Sequence, residues 1–228
     1  MVGLVALAFD YLAGQTPLDP DESAQLIPKH ISTQGQLNEW EQANILEAVQ
    51  WLGRNRKQTV LTEAFCRNLH KRMFGRTWKW AGTFRVSDKN IGGDWRQVPT
   101  RLRQLLDNTQ YLINEKMVPL EESAVRFHHQ LVLVHAFPNG NGRHARLMTD
   151  CLLREVGGQP FAWGRNQNLV AGGDVRDQYL AALRAADAGD VKPLTAFVTT
   201  RHGAEEVPNK SLAAGDFPPH RIRGGLRH

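Results

Sequence analysis

Cysteine is scarce in this sequence: the 228 residues include only Cys66 and Cys151, which form no CxxC pair. This scarcity argues against a disulfide framework or a cysteine-based zinc site, and it predicts a reducing, cytoplasmic setting. Long apolar runs are also missing, because the run Val2–Phe9 is far shorter than the roughly 20 residues that a membrane-spanning helix needs. We therefore expect no membrane association. An HExxH zinc pattern and internal repeats are absent as well.

The composition that remains is typical of a globular protein with one sizeable core. Hydrophobic residues make up 41% and charged residues 22%, and the formal charge of +5 gives a pI near 9.5. A positive balance attracts polyanions such as ATP or nucleic acid without distinguishing between them. After Arg201 the sequence turns to glycine, proline and arginine, which predicts a solvated tail, so direct nucleic-acid binding is not expected.

Helical periodicity dominates the middle of the chain, and it predicts an all-α domain. We expect an irregular N-terminal arm over 1–34, a helical domain over 35–202 and a flexible basic tail over 203–228. Thr62 is expected to cap the second helix. The predicted helices are Leu37–Arg54, Thr62–Phe74, Leu102–Met117, Glu121–Val134, Arg143–Val156, Val170–Ala188 and Lys192–Thr200.

The stretch Trp80–Pro99 breaks this periodicity with aromatic and β-branched residues around glycines, which predicts a small β-hairpin flap. Its edge at Ile91 and Gly92 would bind a target segment by strand addition. The alternative is a surface loop tied down by Trp80 and Trp95.

The passage His135–Arg146 concentrates residues suited to chemistry on phosphates. An apolar helix ends at His135, a loop with glycines on both sides of Asn141 follows, and a new helix begins near Arg143. Backbone N–H groups at such a helix start form a cup for anionic oxygens. Arg143 and Arg146 lie on one helical face within reach of a polyphosphate, and His135 exchanges protons near neutral pH. Asn139 and Asn141 lie at the lip of the cup.

This passage resembles the signature H-x-F-x-[D/E]-G-N-G-R-x-x-R of the Fic family, and it matches every fixed position except one. The resemblance covers roughly residues 35–200, and it implies a Fic-like helical bundle with the flap before the catalytic helix–loop–helix. Within the family, the approach Leu37–Ile45 is most similar to the subgroup called mobile mystery protein B.

The resemblance implies a protein adenylyltransferase that moves AMP from ATP onto a Ser, Thr or Tyr hydroxyl of a target protein, with Mg²⁺ or Mn²⁺. His135 would be the base, and Phe137 would anchor the loop in the core. Gly140, Asn141 and Gly142 would hold the α- and β-phosphates, Arg143 would bind the phosphate chain and Arg146 the γ-phosphate. Tyr179 and Leu183 are expected to border the adenine, although this i, i+4 pair is also typical of a core.

The sequence departs from the family at two points. Asn139 stands where relatives carry a metal-binding carboxylate, so a weaker hold on Mg²⁺ is expected, with the ATP phosphates supplying more of the coordination. The inhibitory pattern [S/T]-x-x-x-E-[G/N] is missing, since no glutamate is followed by glycine or asparagine. Restraint by a separate partner is expected, as for a toxin-like element of a mobile module.

Three alternatives stay open. A Doc-like kinase would transfer the γ-phosphate, but that branch carries lysine where this chain has Gly142. Removal of AMP from a protein is the second alternative, although that reaction usually accompanies the inhibitory glutamate, which this chain lacks. A non-catalytic nucleotide-binding protein could instead accompany a helix-turn-helix DNA binder. His128 and His129 are interpreted as packing or hydrogen-bonded histidines, and a zinc site at these residues is the less favoured interpretation.

Overall fold

The computed structural model describes residues 15–55, 57–163, 169 and 173–200. Residues 1–14 of the predicted arm, the predicted helix start at Val170 and the predicted tail 203–228 lie outside them. Within the described residues the regular structure is helical, as the periodicity predicts. The helices are α1 Pro20–Ser23, α2 Gln34–Arg54, α3 Glu63–Phe74, α4 Val98–Asn114, α5 Leu120–Val134, α6 Asn141–Glu155, α7 Asp174–Asp187 and α8 Lys192–Thr199, and a 3₁₀ turn at Trp95–Gln97 leads into α4.

Threonine side chains set the starts of the first two long helices. At the start of α2, the Thr33 hydroxyl oxygen accepts from the Gln36 backbone N–H. The Gln36 side-chain oxygen in turn accepts from the Thr33 backbone N–H. Thr62 accepts from the Phe65 N–H at 3.2 Å at the start of α3, which confirms the predicted cap.

The helices pack in pairs around two apolar clusters. Helix α2 packs on α3, α5 packs on both α4 and α6, and α7 packs on α8. The larger cluster fills the space between α2, α3, α4, α5 and α6, with Leu69, Phe127 and Phe137 fully buried. The smaller cluster joins α7 and α8 to α5 and α6 through Ala124, Leu153 and Leu194. The loop between α5 and α6 therefore starts from the best-packed part of the molecule.

The predicted hairpin over Trp80–Pro99 is wrong, because no strand forms among the described residues. The segment 80–94, called the flap segment below, runs as successive turns and bends. Its carbonyls at Ser87 and Gly93 accept from the Arg85 guanidinium, both at 2.8 Å, instead of from a facing strand. One buried side chain thus replaces the hydrogen-bond ladder that a hairpin would need.

No helix in the described ranges combines the length and apolar character needed to span a membrane.

Candidate active site

Helix α5 ends at His135, whose backbone adopts the left-handed conformation with φ of 49° and ψ of 57°. This conformation costs a non-glycine residue about 1–2 kcal/mol, so surrounding contacts must hold it. The buried Arg85 supplies them: its Nε donates to the His135 carbonyl at 2.7 Å, and its backbone N–H donates to the Ala136 carbonyl at 2.9 Å. The turn therefore holds the imidazole ring at a set position beside the following loop.

The His135 ring is buried and neutral at physiological pH. Burial lowers its pKa to about 4, and the positive charges of Arg85 and Lys89 act in the same direction. The Val132 carbonyl opposes this shift, although it makes no well-oriented hydrogen bond to Nδ1. Nε2 lies 3.0 Å from the hydroxyl oxygen of Thr16. A neutral imidazole at hydrogen-bond distance from a hydroxyl is the arrangement that general-base catalysis requires.

The loop after His135 is closed by Asn141, the first residue of α6. Its side-chain oxygen accepts from the Phe137 N–H at 2.9 Å, and its Nδ2 donates to the Phe137 carbonyl at 2.7 Å. The Phe137 ring is fully buried and stacks on His70 with ring centroids 3.8 Å apart. Phe137 thus lies in the core, as expected, while the Asn141 side chain points into the loop and leaves only its backbone for a ligand.

His70 on α3 supports this loop from below. The Gly82 N–H donates to its Nδ1 at 3.0 Å, so Nε2 carries the proton and donates to the Asn139 carbonyl at 3.0 Å. Burial, with smaller effects of nearby positive groups, lowers the pKa of His70 well below its usual value. The ring therefore stays neutral and connects the flap segment to the loop.

Gly140 precedes α6 and meets a strict steric requirement. Its φ of 78° is left-handed, and an added Cβ would lie 2.7 Å from the Phe74 ring. Gly142 is different, since its nearest neighbour to an added Cβ is 3.8 Å away. The first N–H groups of a helix have no partner within the helix, and the helix dipole makes this end positive. The start of α6 is thus built to receive anionic oxygens.

Arg143 is engaged by a glutamate that the sequence did not single out. Its guanidinium donates to Glu41 Oε2 at 2.7 Å and lies over the Phe74 ring. The other oxygen of Glu41, which is itself buried, accepts from Trp78 Nε1 at 2.7 Å. A bound phosphate chain would have to take the place of this carboxylate on Arg143.

Arg146 faces the cavity from one turn further along α6. Its guanidinium lies 5.6 Å from the centre of the Tyr179 ring. It forms no ion pair with any described residue. A second arginine from α7, Arg176, lines the same cavity, and its pKa is lowered chiefly by burial and then by Arg146. The cavity is therefore positively charged.

The cavity has a volume of about 180 Å³ and brings together most of the residues that the sequence selected. Among the described residues that line it, Glu41 is the one acid. The lining includes His135, Asn139, Gly140, Asn141, Gly142, Arg143, Arg146, Ile91, Tyr179 and Leu183.

The two flap residues that the sequence selected, Ile91 and Gly92, lie beside His135. Ile91 is half-buried at the cavity, and a Cβ added to Gly92 would meet His135 Cβ at 2.7 Å. The φ of 103° at Gly92 also excludes most other residues. Gly92 thus allows the flap segment to pass directly against the end of α5.

The other histidines of α5 are hydrogen-bonded, as interpreted from the sequence. His128 Nε2 lies 2.9 Å from the Tyr179 hydroxyl, and His129 Nε2 lies 2.7 Å from Asp187. The described residues contain no cluster of three or more His, Cys, Asp or Glu side chains able to hold a metal ion. Tyr179 is buried between His128 and the cavity, while Leu183 is half-buried beside it.

Asn139 offers little to a metal ion. Its side-chain oxygen already accepts from the Gly140 N–H at 2.6 Å, and its Nδ2 donates to the Thr16 carbonyl at 2.9 Å. A divalent cation of the Mg²⁺ type needs about six oxygen ligands with some negative charge. The side chains of this site do not fit a resident metal by themselves.

Besides Arg176, four residues of the site escaped the sequence interpretation: Thr16, Glu41, His70 and Arg85. Each reaches the loop from a distant part of the chain, so no local spacing connects them. One signal was available for Arg85, because arginine is almost never fully buried without a partner. Arg85 stands between Phe84 and Val86 in the sequence, and this pattern could have marked it, whereas His70 lies between Leu69 and Lys71 and carries no such signal.

A helical bundle that places arginines and a neutral histidine around the start of a helix has the geometry of an anion site with a proton acceptor beside it. Residues 60–153 match the model of the Fic/DOC family, so the chain contains a Fic/DOC family domain over this range.

Relatives with names and structures agree with this assignment. The protein adenylyltransferase fic-1 of Caenorhabditis briggsae is 32% identical over 135 residues, which are 57% of this chain and 25% of the relative. The chain thus spans about a quarter of the curated relatives' length. A fragment of Fic-1 from C. elegans aligns with a TM-score of 0.52 and 25% identity, over 68% of this chain and 46% of that one. BepC from Bartonella tribocorum, solved with bound AMPPNP, shares the fold with a TM-score of 0.59 at 19% identity, over 78% and 95% of the chains.

Proposed function

We propose that this chain transfers AMP from ATP to a hydroxyl side chain of a protein. The observation that carries the proposal is the neutral His135 ring beside the glycine loop and the positive start of α6. The names of the curated relatives support the same reaction. Because those relatives are much longer, the activity of this chain itself is the proposal.

The proposed reaction is an in-line displacement at the α-phosphorus. The acceptor hydroxyl loses its proton to His135 and forms a new oxygen–phosphorus bond. The bond between the α-phosphorus and the oxygen that bridges to the β-phosphate breaks, and pyrophosphate leaves with the electron pair. Backbone N–H groups of Gly140, Asn141 and Gly142 would hold the α- and β-phosphates.

Side chains around the loop would hold the rest of the nucleotide. Arg143 would bind the phosphate chain and Arg146 the γ-phosphate, since guanidinium groups match phosphate oxygens in geometry and charge. The adenine would lie against Tyr179 and Leu183, and a target segment would dock beside Ile91 and Gly92.

The cavity must widen before ATP fits. Its volume of about 180 Å³ is below the roughly 300–1,000 Å³ of ordinary ligand pockets. The ion pair between Arg143 and Glu41 occupies one of the proposed phosphate contacts. We therefore propose that nucleotide binding displaces Glu41 from Arg143 by competition for the same guanidinium.

Mg²⁺ or Mn²⁺ would arrive on the phosphates of ATP and not at a preformed site. Asn139 would add at most one neutral oxygen to its coordination, and only after it releases the Gly140 N–H. Asn139→Asp adds the negative charge that the family signature carries at this position. The expected result is transfer at a lower Mg²⁺ concentration, measured by metal titration. An unchanged metal requirement would mean that the cation is held by the nucleotide alone.

Incubation of the purified chain with ATP and a bacterial lysate tests the reaction. ATP labelled at the α-phosphate should label protein, and ATP labelled at the γ-phosphate should not. His135→Ala should reduce labelling by about 10²–10⁴-fold, the usual contribution of a general base, and leave ATP binding nearly intact. His30→Ala is the matched control, because His30 is exposed and does not line the cavity.

The same experiment identifies each competing function. Protein labelled only from the γ-phosphate would indicate a Doc-like kinase. Loss of AMP from a previously labelled protein would indicate the reverse reaction. ATP that is bound but never consumed at any Mg²⁺ concentration would indicate a non-catalytic accessory protein.

We further propose that the chain belongs to the mobile mystery protein B subgroup and acts in the cytoplasm as a toxin-like element. Its partner would be an inhibitory or helix-turn-helix protein. The support is the sequence Leu37–Ile45, which lies on α2 and includes Glu41, the residue that pairs with Arg143 at the proposed phosphate contact. Co-expression with the product of a neighbouring helix-turn-helix gene should yield a stable complex with reduced labelling. Labelling that is unchanged by every such product would remove this part of the proposal.

A further inference from the structure

A hydroxyl of the chain itself already occupies the position that an acceptor must take. Thr16 Oγ1 lies 3.0 Å from His135 Nε2, and only 6% of Thr16 and 5% of His135 is exposed. A nucleophile and its base normally lie about 2.6–3.2 Å apart. No hydroxyl from another molecule can reach this nitrogen while Thr16 is in place.

Contacts on both sides hold Thr16 there. The Thr16 carbonyl accepts from Asn139 Nδ2 at 2.9 Å, within the loop itself. The preceding carbonyl, that of Gln15, accepts from Asn90 of the flap segment at 3.1 Å. The residues 15–23, called the arm below, thus cross between the flap segment and the loop with the Thr16 hydroxyl facing the imidazole.

Charged contacts anchor the rest of the arm to the flap segment. The Lys89 side chain is 3% exposed and pairs with Asp19 at 2.8 Å and Glu22 at 2.6 Å. The Ser87 hydroxyl donates to the same Asp19 carboxylate at 2.6 Å. Hydrogen bonds to Lys89 and Ser87 lower the pKa of Asp19, so the carboxylate is charged throughout the physiological range.

We propose that Thr16 is an acceptor of AMP, so that the chain modifies its own arm. This inference rests on the proposed transfer of AMP from ATP. The Thr16 hydroxyl gives its proton to His135 Nε2, and Oγ1 forms a bond to the α-phosphorus. The bond from that phosphorus to the oxygen bridging to the β-phosphate breaks, and pyrophosphate leaves.

Tethering favours this acceptor over any other. A group held in reacting geometry behaves as if present at a very high concentration, which removes most of the entropic cost of bringing two reactants together. The arm leaves the cavity side formed by α2 and α7 for the nucleotide, since Leu37, Tyr179 and Leu183 line that side. The modification is therefore intramolecular, and its first-order rate constant does not depend on protein concentration.

The full-length chain is the sample for the test. It is incubated with ATP and Mg²⁺, and peptide mass spectrometry then locates the AMP group. The wild type should carry AMP on Thr16 at a rate constant that stays the same across a tenfold dilution, and His135→Ala should lower that rate about 10²–10⁴-fold. Thr16→Val should lose the adduct, while Thr16→Ser should retain it on the new hydroxyl.

The matched control is Ser23→Ala, which removes an exposed hydroxyl from the same arm. It should leave the adduct on Thr16 unchanged. Because valine has nearly the shape of threonine, the Thr16→Val chain should fold, and its circular dichroism and unfolding midpoint confirm that it has.

Failure of this inference can be told apart from failure of the proposed function. If lysate proteins are labelled in a manner that depends on His135 but Thr16 carries no AMP, the arm is only a cover and the inference is wrong. An adduct whose rate constant rises with protein concentration would also overturn it, because transfer would then occur between chains. If neither lysate proteins nor the chain are labelled, the transferase function itself falls.

Discussion

The glycine loop (residues 135–146) and the arm that covers it are held by different kinds of interactions. The loop is fixed from within, by the paired hydrogen bonds between Asn141 and Phe137, and from below by the stacked ring of His70. The arm is fixed by polar contacts to the flap segment, chiefly those of Lys89 with Asp19. Asp19 is about half exposed, whereas Phe137 is fully buried.

This difference implies a rigid site under a removable cover. A loop whose backbone is fixed by buried groups keeps its phosphate cup formed before any ligand arrives, which is the preorganisation that catalysis requires. A segment held by partly solvated ion pairs opens at a much lower free energy than global unfolding. Three predictions test the contrast, from the largest expected effect to the smallest.

Substitution of Gly140 by alanine should damage the loop most. The left-handed φ of 78° costs alanine about 1–2 kcal/mol, and the clash with the Phe74 ring adds about 1–3 kcal/mol. We expect the free energy of unfolding to fall by about 3 kcal/mol in urea denaturation. Gly142→Ala is the control, since it has room for a methyl group and lies inside α6, where alanine is favoured. Equal losses for the two variants would contradict this account of the loop.

Acid should weaken the packing around the loop before it weakens the arm, because the buried His144 ring packs edge-on against Phe137. Burial lowers the pKa of His144 to about 4, so the folded chain keeps this ring neutral while the unfolded chain binds a proton near pH 6.5. The stabilising effect is full above pH 6.5 and is lost as the pH falls towards 4, by about 1.4 kcal/mol per pH unit for each such histidine. Asp19, whose pKa is lowered from 3.8, keeps its contacts throughout this range.

Urea unfolding between pH 7.5 and 5 measures this loss. His144→Gln keeps an N–H donor for the Cys66 carbonyl but cannot be protonated, so its stability should fall less steeply by about 1.4 kcal/mol per pH unit. His30→Gln, at an exposed position, should follow the wild type. If His144→Gln and the wild type lose stability in parallel, His144 is not a source of the acid sensitivity.

Local pattern predicted the parts of this molecule that local interactions build. The helical periods and the cap at Thr62 depend on neighbours within a few residues. The passage His135–Arg146 was recognisable because its histidine, glycines and arginines lie within twelve consecutive positions. The flap segment was mispredicted because β-branched and aromatic residues around glycines are compatible both with a hairpin and with a series of turns. The Arg85 guanidinium donates to the carbonyls of Ser87 and Gly93 and so stabilises the turns. The sequence alone does not show these contacts.

The same reason explains why the arm and Glu41 were missed. Thr16 is 119 residues from His135 in the sequence, and Arg143 is 102 residues from Glu41. Contacts at such separations depend on how α2 and the arm pack across the bundle, and no periodicity encodes them. The sequence before α2 predicted only an irregular arm, without its contact to His135.

Lys89→Met should detach the arm with the smallest effect on global stability. The substitution removes the contacts of Lys89 with Asp19 and Glu22 but keeps most of the apolar stem. Because Asp19 and Glu22 both become solvated once the arm detaches, neither carboxylate stays buried without a partner, and the free energy of unfolding should fall by only about 1 kcal/mol. Hydrogen exchange in residues 15–23 should nevertheless accelerate markedly, while exchange in 135–146 stays as slow as in the wild type. Mass spectrometry of deuterium uptake measures both segments in one experiment.

Arg96→Met is the matched control for this variant. Arg96 also forms an ion pair, with Asp94, but both side chains are exposed and neither contacts the arm. Exchange in the arm should therefore match the wild type. If the Lys89 variant instead loosens the arm and the glycine loop together, the two regions form one cooperative unit, and a rigid site beneath a removable cover is the wrong description. If it loosens only the arm, release of Lys89 also becomes the step that exposes His135 to hydroxyls from other proteins.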